Sequence, residues 1–211
     1  MIDNGDLILF QGDSITDADR AYDAANPNTG LGTGYAYLAS ARLLAARPSD
    51  DLRFMNRGIS GNRIVDLYAR WREDALNLQP NLISILIGIN DTWHEFSRQA
   101  GVAVPKFERL YRQLLTETRE ALPTVKLVLC EPFALPCGTV TEEWTKDVEA
   151  RQTVVRKLAD EFDARHVAFQ KMFDRAQAQA SARYWAEDGV HPTYAGHQRM
   201  ADEWVGVVSF A

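Results

Sequence analysis

The sequence predicts a three-layer α/β/α sandwich around a central five-stranded parallel sheet in flavodoxin-like order. Three observations carry that prediction. Strand-like apolar runs alternate with helix-like stretches along all 211 residues, without an internal repeat or linker; such alternation implies parallel strands joined by right-handed crossovers. Residues 82–87 are almost continuously apolar, as in a central strand whose two faces are both covered by helices. A hydrophobic share of 46% in a chain of this length suits one domain, residues 1–211, with a sizeable core.

The elements follow in order. Residues 7–10 form the first strand and run into Gly12, Asp13 and Ser14. Residues 16–34, rich in Asp, Asn and Gly with Pro27 among them, read as a long loop. The glycines at 30, 32 and 34 lack the Lys-Ser/Thr pair of a phosphate loop, so a flexible turn is expected there. Residues 35–47 read as a helix stopped by Pro48, and 52–56 as the second strand. Ile64, Leu67, Tyr68, Trp71, Ala75 and Leu78 keep a helical period that ends before Pro80. After strand 82–87 and the Gly88-Ile89-Asn90-Asp91 segment, a loop beyond Trp93 and His94 leads to a helix carrying Phe107, Leu110, Tyr111, Leu114 and Ala121. Residues 125–130 are the fourth strand, 141–164 a long helix, 166–169 a weaker fifth strand followed by a short helix. Residues 188–192 form a loop, and 194–208 the last helix.

Composition narrows the function. The formal net charge is −6 and there is no basic block, which speaks against nucleic acid or an anionic membrane as partner and suits a neutral small molecule. The first six residues are acidic where a signal peptide is basic, and no stretch has the length of a membrane span. Cys130 and Cys137 have neither zinc-site spacing nor enough companions for a disulfide framework. Two reduced thiols in a cytoplasmic protein are the expectation.

Three unusual segments, around Ser14, residues 58–61 and Asn90, directly follow predicted strands one, two and three. In a parallel sheet those strand ends share one edge, where such folds place their chemistry. The fourth, Asp188 to His191, precedes the last helix and can fold back over that edge. A serine hydroxyl needs a base to become a nucleophile. His191 titrates near neutrality, and Asp188 can fix its tautomer. The Ser14 and Gly61 backbone N–H groups and the Asn90 amide are placed to meet an oxyanion. Taken singly, each residue has an ordinary structural use: turn or cap for Ser14, tight turn for Gly58 and Gly61, cap for Asn90, turn for Asp188-Gly189, surface for His191. Together, at the ends of the right elements, they point to nucleophilic acyl transfer without a metal or cofactor.

The sequence resembles the SGNH (GDSL) hydrolase family over nearly its whole length. Four blocks stand in order: Gly12-Asp13-Ser14; Asn56-Arg57-Gly58-Ile59-Ser60-Gly61-Asn62; Gly88-Ile89-Asn90-Asp91; and Asp188-Gly189-Val190-His191-Pro192. The resemblance implies Ser14, Asp188 and His191 as the triad, with Ser14, Gly61 and Asn90 as oxyanion donors. Gly61 is taken over Gly58 because the family's donor follows the Ile59-Ser60 pair. Within the family, residues 10–17, 31–35 and 90–93 look most like bacterial intracellular acetylxylan esterases, as do Ala69-Arg70-Trp71 and Ala195-Gly196-His197. That likeness implies removal of acetyl groups from xylose units and a homo-oligomer. Such esterases carry a tryptophan just before the triad aspartate, where this chain has Glu187; Trp185 is the candidate replacement.

Tyr22, Tyr35, Trp93, His94, Phe133 and Trp185 are candidates for the pocket wall, with core packing expected for about half of them. Tyr35, Trp93 and Trp185 are assigned to substrate binding, together with Asp13, which is also read as holding the turn beside Ser14. Trp204 and Phe210 are candidates for an exposed aromatic patch at a subunit contact. The rival enzyme reading is a thioesterase or lysophospholipase on long acyl chains, against which the polar loop 16–34 argues. The other rival is a non-catalytic carbohydrate-binding protein, disfavoured because every catalytic position holds a competent residue.

Overall fold

The computed structural model describes residues 1–22 and 29–209, so Pro27 and Phe210 lie outside the described residues. All five strands are parallel and lie in one sheet, in the order β2-β1-β3-β4-β5. They are β1 (Leu7–Gly12), β2 (Arg53–Asn56), β3 (Leu82–Leu86), β4 (Lys126–Cys130) and β5 (Arg165–Val167). This is the flavodoxin-like order expected from sequence, and it makes β2, β1 and β3 immediate neighbours. β1 extends past the apolar run because Gln11 and Gly12 continue the ladder, opposite Ile85 and Leu86.

The helices are α1 (Ser14–Asp17), α2 (Tyr35–Ala46), α3 (Ile64–Ala69), α4 (Trp71–Asp74), α5 (Ile89–Arg98), α6 (Val104–Ala121), α7 (Glu142–Glu161), α8 (Phe169–Ala176), α9 (Ala182–Trp185) and α10 (Tyr194–Ser209). Strand side chains alternate between two cores. Ile8, Phe10, Leu82 and Val128 pack beneath α2, α8 and α10. Leu9, Ile83, Ile85 and Leu127 pack beneath α3, α4, α6 and the second half of α7.

Four differences from the sequence reading have physical causes. The helix expected over 64–78 is broken at Arg70 (φ −106°, ψ 4°) and Ala75 (φ −135°, ψ −64°), while its predicted face stays buried through Ile64, Leu67, Trp71 and Ala75. The start of the predicted 16–34 loop is helical, because the Asp13 side chain caps α1 by accepting from the Ile15 N–H. The residues after His94, expected to be a loop, continue α5 to Arg98: its apolar positions are only Ile89, Trp93 and Phe96, and the rest of its buried first turn is polar (Asn90, Asp91 and Thr92). β5 ends at Val167 because Phe169 already opens α8.

Trp204 is not exposed. It is fully buried, its ring centroid 4.9 Å from that of Phe10, and its indole N–H donates to Ser84 Oγ at 2.9 Å.

Candidate active site

The hand-over from β1 to α1 places Ser14 at the sheet's carboxyl edge. Asp13 turns its carboxylate inward to cap α1, and Ser14, the next residue, points outward. Ser14 Oγ lies 2.9 Å from His191 Nε2, although the two residues are 177 positions apart in the chain. His191 Nδ1 lies 2.7 Å from Asp188 Oδ2. Asp188 Oδ1 accepts the backbone N–H groups of Val190 at 2.9 Å and His191 at 2.8 Å. The carboxylate thus holds the proton on Nδ1 and leaves Nε2 free to accept from the Ser14 hydroxyl.

The 186–192 loop is fixed from outside. The Gly189 carbonyl accepts the Leu135 N–H at 2.8 Å, and the Asp188 carbonyl accepts the Thr139 N–H at 3.1 Å. The triad acid is therefore docked on the loop that follows β4.

Charge supports this assignment of protons. Burial raises the Asp188 carboxyl, but hydrogen bonds from the His191 side chain and from the His191 and Val190 backbones outweigh it and hold the group at about 2. The hydrogen bond to Asp188 raises His191 above 6.5, against burial that would lower it.

The second block swings its loop beside Ser14. Gly58 packs so tightly on the backbone of Asp17 that a Cβ there would collide with the Asp17 N–H. Gly61 has φ +82°, which a side chain rarely tolerates, and its space is otherwise open. Among the described residues neither the Ser14 nor the Gly61 N–H is taken by a hydrogen bond. Asn90, in the first turn of α5, donates one amide hydrogen to the Asn62 carbonyl at 3.2 Å, and the second has no partner among the described residues. Ser14, Gly61 and Asn90 line one cavity with Trp93, His94 and His191. The Trp93 ring centroid is 5.7 Å from that of His191.

The remaining sequence-predicted residues divide. Trp93 and His94 line the cavity, whereas Tyr35, Phe133 and Trp185 belong to the core. Tyr35 is wedged between Phe10 and Phe169, its hydroxyl 3.2 Å from Thr16 Oγ1. Trp185 turns inward and donates to the Ala180 carbonyl, so it cannot replace the missing tryptophan at the wall. Asp13 is wholly buried and does not reach substrate: its Oδ1 is spent on the Ile15 N–H, and its Oδ2 has no partner among the described residues. Burial pushes its carboxyl up to about 7. Tyr22, 58% exposed, donates its hydroxyl to Asp17 Oδ2.

Sequence reasoning missed the residues that hold the loops. Asp17 Oδ2 accepts the Ser60 N–H at 3.1 Å and the Ser60 hydroxyl at 2.8 Å, latching the Gly61 loop to α1. Asn56 Nδ2 donates to the Thr16 carbonyl at 2.6 Å. Arg70 spans the carbonyls of Gly12 and Arg57 and the Asn62 side chain. Both Asp91 oxygens accept the Ile64 N–H, at 3.2 and 3.1 Å. The available signals were an arginine inside the apolar period of residues 64–78 and an aspartate directly after Asn90. Among the described residues no group of three His, Cys, Asp or Glu side chains could hold a metal ion, and no helix is long and apolar enough to cross a membrane.

A parallel α/β sheet carrying a hydrogen-bonded Ser-His-Asp chain and free oxyanion donors at its carboxyl edge defines a serine-type carboxylic ester hydrolase. The chain belongs to the GDSL-like lipase/acylhydrolase family, whose model matches residues 10–199. It is 35% identical to an acetylxylan esterase of Geobacillus stearothermophilus, over 99% of this chain and 96% of that one. A solved structure assigned as a GDSL-like lipase, from Parabacteroides merdae, superposes with a TM-score of 0.95 at 40% identity, covering 100% of this chain and 99% of the other. A catalytic mutant of a Geobacillus stearothermophilus acetylxylan esterase superposes with a TM-score of 0.91 at 32% identity, covering 100% and 97%. The aspartate and histidine changed in catalytic mutants of that enzyme stand three positions apart, as Asp188 and His191 do. The tryptophan changed in another of its mutants directly precedes that aspartate, the place Glu187 takes here.

Proposed function

We propose that this protein is a deacetylase of carbohydrate esters, removing O-acetyl groups from xylo-oligosaccharides through an acetyl-enzyme. The observation that carries the reading is the wall beside the oxyanion donors. The Trp93 indole stands there within ring contact of His191, and beyond it packs on Trp144 with centroids 5.3 Å apart. An acetyl methyl fits against that indole, and the rest of the cavity lining is mostly polar (Ser60, His94, Ser97 and Arg98), which disfavours a long acyl chain. The kinship with acetylxylan esterases supports the same reading.

In this mechanism His191 Nε2 takes the Ser14 proton as Oγ bonds to the acetyl carbon. The oxyanion sits between the Ser14 and Gly61 N–H groups and Asn90 Nδ2. The imidazolium, stabilised by Asp188, gives its proton to the leaving sugar oxygen as the ester bond breaks. Water then gives a proton to His191, attacks the acetyl carbon and releases acetate and free Ser14.

A series of ethyl esters from acetyl to octanoyl tests the reading. We expect kcat/KM to fall by roughly tenfold or more from acetyl to hexanoyl; equal rates on octanoyl would overturn it. Because protonated His191 cannot accept the serine proton, kcat/KM should rise with pH through the His191 pKa, which lies above 6.5. A profile flat between about pH 5 and 8 contradicts His191 as the base.

A further inference from the structure

Ser14 and His191 open onto two cavities. The one holding Gly61, Asn90 and Trp93 measures about 440 Å³. The other, about 580 Å³, is lined by His191, Pro192, Thr193 and Tyr194 and by Asp19 and Thr33. Of the three oxyanion donors, Ser14 lines both cavities and Gly61 and Asn90 line only the first, so the developing negative charge must face the first. About the tetrahedral carbon on Ser14 Oγ, two directions then remain for the acyl substituent and the leaving oxygen. The leaving oxygen must reach His191 Nε2 to be protonated. A further cavity at His191, lined by Arg183, Glu187 and Asp188, is not lined by Ser14. The second cavity is therefore the one that Ser14 and His191 share on the side away from Gly61 and Asn90.

The chemistry of the second cavity is unlike that of the first. Tyr194 is 86% exposed, more than any other exposed large hydrophobic side chain among the described residues. Its backbone is nonetheless fixed: Thr193 Oγ1 accepts the Gly196 N–H at 3.3 Å and donates to the Tyr184 carbonyl at 2.8 Å. A rigidly mounted, bare aromatic face loses little entropy on covering a ligand. Opposite it, Asp19 is exposed and held in the left-handed region at φ 59°, directly after Ala18 at φ 43°. The Thr33 N–H anchors that turn on the Ala18 carbonyl at 2.8 Å. Among the described residues the cavity lining includes a carboxylate and neither Lys nor Arg; apart from the triad His191 its one imidazole is His197, which burial pushes down to about 4. Such a lining repels anionic leaving groups and suits a neutral ring with hydroxyls at its edge.

We propose that the cavity between Tyr194 and Asp19 is the leaving-group subsite, in which Tyr194 stacks on the C–H face of a pyranose ring and Asp19 accepts its hydroxyls. The inference deepens the deacetylase reading and rests on it. In this chain the stacking residue thus follows the triad histidine, while the position before the triad aspartate is occupied by Glu187.

The test compares wild type with Tyr194→Ala and Tyr194→Phe on xylose tetraacetate, glucose pentaacetate, ethyl acetate and ethyl butyrate. For Tyr194→Ala the sugar-acetate to ethyl-acetate ratio of kcat/KM should fall by about tenfold, carried by KM. Tyr194→Phe, which keeps the ring, should restore the ratio. An unchanged ratio on both sugars, a loss in kcat alone, or an equal loss with phenylalanine would overturn the proposal. So would a shifted acetyl-to-butyryl ratio, since the cavity would then face the acyl group. A wild-type preference for butyryl over acetyl defeats the deacetylase reading instead, because the Tyr194 comparison reads only the leaving group.

Discussion

Replacing Ser14 with alanine is expected to lower kcat on a small acetate ester by a factor on the order of 10⁵ to 10⁶. The geometry makes this the largest effect of any single change. The Ser14 hydroxyl is the one group on α1 that meets His191 Nε2, and no neighbouring hydroxyl shares that contact among the described residues. The fold should survive, because α1 is capped by Asp13 rather than by Ser14. The measurement is a steady-state rate alongside a thermal melt. Activity within about tenfold of wild type at an unchanged melting temperature would remove Ser14 from the mechanism.

The second large effect is expected from Asp188→Asn. An asparagine oxygen can still accept the Val190 and His191 backbone N–H groups, so the loop keeps its shape. Its amide nitrogen then faces His191 Nδ1, where the carboxylate Oδ2 now stands. A donor there forces the opposite tautomer, with the proton on Nε2, and the imidazole can no longer accept from Ser14. The loss should be about 10⁴ in kcat. It should come with a His191 pKa moved down, since the hydrogen bond to Asp188 is what raises it. A variant that keeps its rate, or one in which the His191 titration does not move, would show that Asp188 does not govern the tautomer.

How much of this was legible in the sequence depended on where each interaction lies along the chain. Ser14, Gly61 and Asn90 could be placed because each follows a strand, and parallel pairing of β2, β1 and β3 brings strand ends together. The expectation that Asp13 holds the turn beside Ser14 is met by its cap on α1, whereas a contact with substrate is ruled out by its burial. At the start of α1 consecutive side chains diverge, one inward to cap the helix and one outward to react. Trp185 failed similarly: a tryptophan two residues from the right position points the wrong way on α9. α5 is hard to read because its apolar positions number only three, Ile89, Trp93 and Phe96, while Asn90, Asp91 and Thr92 fill the rest of its buried first turn. Arg70, Asp17 and Asn56 act on backbone carbonyls and loop amides, and a backbone group carries no mark in the sequence.

The span of 177 residues between Ser14 and His191 also bears on how the enzyme comes into being. Every strand pair in the sheet is parallel, so each needs a crossover before it can form, and such non-local topologies fold slowly. The nucleophile is synthesised 177 residues before its base. A nascent chain that has laid down the sheet still lacks the loop that delivers His191, and so holds a serine with no means of losing its proton. Hydrolytic competence is therefore withheld until the 186–192 loop has docked on the segment that follows β4.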